Sequence, residues 1–237
     1  MASRLLRRSG VAVGLIMDMI KWKPDAVYQV GVGGHHEEVD VLLHDWPGTK
    51  FYGCEPHPST NKGLRDNYPG KLYEVAISDH CGEVTLYSKR RHKDGSSLFP
   101  HVIRSDERYD EFKVKMTTLD VLFGEPEGKH VLLWVDCEGS ELAALQGGER
   151  FIKGVEIVNV ELASNPPGMG WCKPTDVHWW LLNHGFLRQW QHTDRLSGGQ
   201  CDAVYVRTHL FHPEFSCCPC MIDEYEKRCN PKETCLK

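Results

Sequence analysis

The sequence predicts an α/β domain with a doubly wound, largely parallel sheet, and three observations carry that prediction. Short strand-like runs alternate with segments of helical period along most of the chain. One run, HVLLWV at residues 130–135, is apolar throughout, as a central strand buried on both faces must be. Residues 26–56 read in order as strand, glycine turn, helix, strand and acid. A chain of 237 residues accommodates one such domain.

The elements follow in order. Arg4, Arg7 and Arg8 precede an apolar run, Val11 to Met17, which Asp18 interrupts and which lacks a small-x-small cleavage site. An amphipathic helix beside the first strand is expected there, making residues 1–25 a helical extension. Val27 to Val32 is too short for a helix and reads as a buried strand. Gly31, Gly33 and Gly34 let the chain turn and bring its backbone near a ligand. Val39, Leu42, Leu43 and Trp46 mark a helix over 37–46, which Pro47-Gly48 stops. A second strand, Lys50 to Cys54, ends on Glu55 and Pro56. Glu55 follows Gly31 by 24 positions, near the spacing of about 20 at which an acid at the second strand's tip holds a ribose. His36 stands where a dinucleotide fingerprint carries its third small residue. A nucleoside without a diphosphate therefore suits this turn better.

Beyond it come a helix at 59–68, a strand at 71–77 ending in Ser78-Asp79, and a hairpin strand at 83–88. A charged loop covers 89–110, of a length that usually signals function or mobility. A strand at 113–117 and a helix at 119–123 lead to the apolar run, which ends in Asp136-Cys137-Glu138-Gly139. A helix at 140–146, a strand at 155–162 bearing Glu161, and a helix at 175–183 follow. Strands at 186–192 and 200–206, joined by a turn around Ser197-Gly198-Gly199, form an antiparallel closing pair.

The composition, 41% hydrophobic and 26% charged, is that of an ordinary globule. A net charge of −5 argues against general nucleic-acid binding. No run reaches the roughly 20 apolar residues of a membrane span. A cytoplasmic location is expected, with a secreted or lumenal one left open by the cysteine-rich tail.

Taken together and in order, Q-V-G-V-G-G, Y-G-C-E-P, A-I-S-D, T-T-L-D-V-L, W-V-D-C-E-G-S-E-L-A-A-L-Q-G and D-A-V-Y-V-R resemble the FkbM family of class I S-adenosylmethionine-dependent methyltransferases. The resemblance spans Val27 to Arg207 and defines an expected domain over 26–210. It implies a Rossmann-like seven-stranded sheet with one reversed strand and helices on both faces. It also implies methyl transfer from S-adenosylmethionine, often to a hydroxyl. On that resemblance Gly31 and Gly33 pass under the methionine part of the cofactor, Glu55 holds the ribose, Ser78-Asp79 lie near the adenine, and Asp136 sits at the reacting end. Gln29, His35 and Pro56 count among the cofactor contacts. Gln29 stands where the family carries an acid, so it offers an amide oxygen without a charge.

Strand ends on an open α/β sheet gather around one crevice. Asp136, Glu138 and Glu161 are the candidate bases for a hydroxyl acceptor, with His35 and His36 behind them. Glu138 has a second reading, as a cap for the helix from Ser140. Acids and imidazoles together suit Mg²⁺ or Mn²⁺, although no spacing specifies such a metal. The acceptor, a small molecule or glycan, is expected to meet the 89–110 loop and the segment 164–171, SNPPGMGW. Trp171, Trp179 and Trp180 are candidates to stack on a sugar; of the adjacent pair 179 and 180 only one can face the core.

Cys54 and Cys137 read as reduced core thiols. Residues 211–237 form a separate tail, where Cys217, Cys218, Cys220, Cys229 and Cys235 leave three readings open: a zinc site, disulfides, or free thiols. A homo-oligomer linked through this tail stays open as well. The expected activity is O-methylation of a sugar, glycan or natural-product hydroxyl. The alternatives are a non-catalytic S-adenosylmethionine-binding protein and, disfavoured by the missing third glycine, a nicotinamide-linked oxidoreductase.

Overall fold

A computed structural model describes residues 17, 21–33, 46–90, 95–100, 109–163, 170–193 and 200–211, excluding the side chains of 192 and 193. A seven-stranded sheet forms its centre. In sequence the strands are β1 (Ala26–Val30), β2 (Lys50–Cys54), β3 (Lys71–Tyr73), β4 (Ala76–Ile77), β5 (Gly82–Lys89), β6 (Tyr109–Thr117), β7 (Val131–Val135), β8 (Ile157–Ala163), β9 (Phe186–Thr193) and β10 (Gln200–Arg207). The large sheet runs β3-β2-β1-β7-β8-β10-β9. Its pairings are parallel except around β10, which runs against both β8 and β9. This is the mostly parallel sheet with one reversed strand that the sequence predicts. Strand order turns back between β1 and β7, and above the carboxyl ends at such a point open α/β sheets place their ligand crevice.

Side-chain alternation divides the core into two layers. Tyr28, Val30, Leu133, Val135, Val158, Val160, Ala203 and Tyr205 point to one face. Val27, Leu132, Trp134, Ile157, Val204 and Val206 point to the other. All five residues of β7 are buried, and each large apolar side chain so placed contributes about 1.5–3 kcal/mol. Helices α1 (Pro58–Leu64), α2 (Leu119–Leu122), α3 (Glu141–Gln146) and α4 (Pro174–Asn183) join these layers. Leu119, Ala144, Leu145, Val177 and Leu181 enter the first layer, whereas Leu64 of α1 enters the second with Met17 and Trp22. The helix expected over 37–46 lies outside the described residues but for Trp46, which packs in the second layer.

The structure differs from the sequence expectation at residues 71–77. That stretch is two strands: β3 continues the large sheet, while β4 joins β5 and β6 in a three-stranded sheet. The cause is a tight turn at Glu74, where the Val75 amide donates to the Tyr73 carbonyl (3.0 Å). Ser78-Asp79 therefore follow a strand of the small sheet. The strand expected over 113–117 begins at Tyr109, because residues 109–112 continue the antiparallel ladder onto β5. The Ser197-Gly198-Gly199 turn and the tail beyond Phe211 lie outside the described residues.

Candidate active site

Two glycines open the crevice in different ways. Gly31 has φ +82, and a Cβ there would lie 1.7 Å from the Asp136 carbonyl oxygen, so its missing side chain admits the backbone of the neighbouring strand. Gly33 has φ +65 and only open space where its Cβ would be. Its amide donates to Glu55 Oε2 (2.9 Å), and the His57 amide donates to Oε1 (2.7 Å). The Asn61 side-chain amide holds the Glu55 carbonyl (2.8 Å). Glu55 is buried, which raises its carboxyl pKa, while the backbone amides pull the other way. Those amides leave lone pairs on both carboxylate oxygens for further donors.

His57 fixes this corner from below. Its Nδ1 accepts from the Ser59 and Thr60 amides, capping α1. Nε2 therefore carries the proton and donates to Ser88 Oγ (3.0 Å) on the small sheet. Pro56 lies half-buried between these two side chains in sequence. Gln29 is buried, and its amide oxygen accepts from the Tyr68 hydroxyl (3.4 Å). His35 and His36 lie outside the described residues. Ser78 is buried and donates to Asp79 Oδ1 (3.2 Å). Asp79 is exposed, and the neighbouring His80 ring at 2.6 Å lowers its carboxyl pKa.

Asp136, Glu138 and Glu161 come together at the carboxyl ends of β7 and β8. One oxygen from each lies within 4.8 Å of the others, and all three residues are partly buried. Register explains the convergence. Val135 pairs with Val160, so Asp136 falls beside Glu161, and alternation turns both toward the second face, two positions after Trp134 and Asn159. Asp202 on β10 pairs directly with Glu161 and adds a fourth carboxylate, which the sequence reading missed. The available signal was an acid opening the apolar strand D-A-V-Y-V-R. Burial raises the Glu161 pKa well above the carboxylate range, and Asp136, Glu138 and Asp202 add to the effect. Asp202 is pushed up to about 7, first by burial and then by Asp136.

The turn after β7 is strained and buttressed. Glu138 has φ +50, a costly conformation for a residue with a Cβ, and Gly139 follows at φ +101. The acid that serves the loop is Glu141, whose Oε1 accepts from the Gly139 amide (2.9 Å) and the Cys137 amide (3.3 Å). The Glu138 carboxylate groups with those of Asp136 and Glu161. Cys172 Sγ donates to Glu141 Oε2 (3.2 Å). Trp171 lies over Gly139, where a Cβ would come within 2.3 Å of the indole. Ser97 Oγ donates to the Glu138 carbonyl (2.6 Å), and the Phe99 ring packs against Gly170. Residues 95–100 and 170–171 of the two expected acceptor segments thus meet over this turn. Residues 91–94, 101–108 and 164–169 lie outside the described residues. Trp179 is 56% exposed, while Trp180 packs on the first core layer and stacks on His184 at 3.7 Å. Cys54 and Cys137 carry free thiols, and burial raises the pKa of both. No helix among the described residues is long and apolar enough to cross a membrane.

Known proteins can be compared with this geometry. The methyltransferase FkbM domain matches residues 26–192. No curated protein sequence matches the chain. The structure of a methyltransferase FkbM from Methylobacillus flagellatus KT is similar at a TM-score of 0.52 and 12% identity, over 77% of this chain and 43% of that one. This chain thus spans less than half of that protein's length. Magnesium protoporphyrin IX methyltransferase from Synechocystis PCC 6803, solved with bound SAM, has a TM-score of 0.50 and 9% identity over 86% of this chain and 79% of its own. The plantazolicin methyltransferase BpumL, in complex with SAH, has a TM-score of 0.50 and 8% identity over 86% and 84%. At such identities the structural likeness concerns the fold. The family match itself runs through the glycine turn and the ends of β7 and β8, and the chain belongs to the FkbM methyltransferase family.

Proposed function

We propose that the protein is an S-adenosylmethionine-dependent O-methyltransferase acting on a hydroxyl of a small polyhydroxylated acceptor such as a sugar, a glycan or a natural product. The observation that carries this reading is the pairing of two sites at the carboxyl ends of one sheet, on either side of β1. Glu55, buried and joined to the Gly33 amide, stands beside a crevice lined by Asp136, Glu138 and Glu161. The SAM and SAH in the similar solved structures support the choice of cofactor.

The residues present fit that cofactor. Gly33 faces open space where a chain with a Cβ would intrude, and Glu55 keeps lone pairs on two oxygens for a ribose diol. Gly31 lies at the end of β1, and Ser78, Asp79, Gln29, His35 and Pro56 are the remaining proposed contacts. When bound, S-adenosylmethionine supplies a methyl group on a sulfonium that is already a good leaving group. The chain's own task is to align the acceptor and take up its hydroxyl proton. Asp136, Glu138 and Glu161 supply carboxylate oxygens for that proton at one point of the crevice. Ser97, Phe99 and Trp171 hold the turn carrying Glu138 and form the wall against which an acceptor is held. The catalytic domain in this reading is 26–210, and the tail 211–237 lies outside the chemistry.

The test has two parts. Glu55→Ala should weaken S-adenosylmethionine binding about tenfold to a hundredfold by calorimetry, the cost of one charge-assisted hydrogen-bond site. Mass spectrometry of hydroxylated acceptor pools incubated with methyl-labelled cofactor should then show label on oxygen. Wild-type affinity in the Glu55 variant would sink the cofactor assignment. Binding without any labelled product would identify a non-catalytic binder.

A further inference from the structure

The second face of the large sheet carries one polar feature that methyl transfer leaves unexplained. Asn159, in the middle of β8, is fully buried, and neither its amide oxygen nor its amide nitrogen has a hydrogen-bond partner. Leaving such a group unsatisfied costs about 1–3 kcal/mol, and a native core normally avoids it. Its place shows what it serves. Asn159 lies two residues before Glu161, on the same face of the same strand. It pairs with Trp134 on one side and Val204 on the other. Asp136 and Asp202 each lie two positions from those partners in the chain, toward the crevice. The amide thus sits one pleat beneath three of the four carboxylates that crowd the strand ends.

We propose that Asp136, Glu138 and Glu161 form a site for one hydrated divalent cation of the Mg²⁺ or Mn²⁺ class, with Asp202 adding its charge beside them and Asn159 holding an ion-bound water from below. The donor set is all oxygen, as those hard cations require, and a magnesium ion retains several waters when carboxylates bind it. Three carboxylate oxygens within 4.8 Å of one another are close enough to share one ion. Once ionised, these acids repel one another, and Asp202 adds to the effect; a cation converts that repulsion into attraction. Resting on the proposed methyl transfer, the remaining coordination positions select an acceptor with two neighbouring oxygens, such as a vicinal diol, that chelates the ion beside the transferred methyl.

Manganese binding to the full chain, read by electron paramagnetic resonance and by thermal shift, tests this without any acceptor. Wild type should bind one Mn²⁺ that Mg²⁺ displaces, with a rise in melting temperature. Glu161→Gln and Asp202→Asn should each weaken that binding at least tenfold. Both should also melt higher than wild type without metal at neutral pH, since each replaces a buried acid that is costly to ionise with a neutral amide, so lost binding cannot be blamed on lost folding. Absence of bound Mn²⁺ at millimolar concentration overturns the site, as does undiminished binding by both variants. S-adenosylmethionine affinity is measured separately in metal-free buffer. A protein that binds the cofactor and ignores manganese would refute the cation site and leave the methyltransferase reading standing.

Discussion

Gly31 and Glu141 show how single residues hold the crevice in shape. Gly31→Ala would drive a methyl group into the Asp136 carbonyl at a positive φ, and neither backbone can give way without breaking the β1–β7 ladder. The expected loss is at least about 4 kcal/mol, a large share of a typical domain's stability. Urea unfolding should show it as a collapse of the midpoint. Glu141→Ala strips the acceptor from two amides of the strained turn and should cost about 2–4 kcal/mol. Glu141→Gln keeps a carbonyl oxygen in place and should lose less than about 1 kcal/mol. Equal losses in the two variants would show that the charge, and not the acceptor geometry, holds the turn. Gly31 was legible in the sequence as a turn glycine, but its backbone partner was not. That contact joins residues 105 positions apart, and only the sheet register brings them together.

Among the elements, α4 couples stability to pH through His178. Burial, aided by Arg188, lowers its pKa from 6.5 to about 4, so the imidazole stays neutral in the fold. The unfolded chain accepts a proton at a higher pH than the folded one does. This contribution is therefore fully present above pH 6.5 and is lost as pH falls toward 4. Melting temperature should drop between about pH 7.5 and pH 5, and by less in His178→Gln. Parallel slopes for the two proteins would remove His178 from the account. The division of residues 71–77 into β3 and β4 belongs to this scale too. Apolar residues continue through Val75, Ala76 and Ile77, so the sequence reads as one strand. What separates them is competition between two sheets for backbone partners, with β2 taking Tyr73 and β6 taking Ala76.

At the scale of the whole molecule, the reversed strand closes the fold. Arg207, at its end, donates to the carbonyls of Val155, His184 and Ile152 and lies over the Phe186 ring at 4.2 Å. With the sheet tied off there, a chain truncated after Pro213 should remain folded and bind S-adenosylmethionine as the full chain does. Circular dichroism and calorimetry would check both. An insoluble product, or one blind to the cofactor, would place the tail inside the domain.

The sequence by itself determined the strand order in the chain, the central position of β7, the glycine turn and the acid at the tip of β2. These are local properties, written in periodicity, apolar runs and turn residues that neighbouring positions share. It also pointed to Asp136, Glu138 and Glu161, since each lies at or near the end of a readable strand. Only the tertiary structure decided that they converge, that Asp202 joins them from a strand 41 positions after Glu161, that Asn159 lies unsatisfied beneath, and that Glu141 supports the turn. Those facts depend on which strands become neighbours and in what register. A one-residue slip of β10 against β8 would turn Asp202 to the opposite face and break up the cluster.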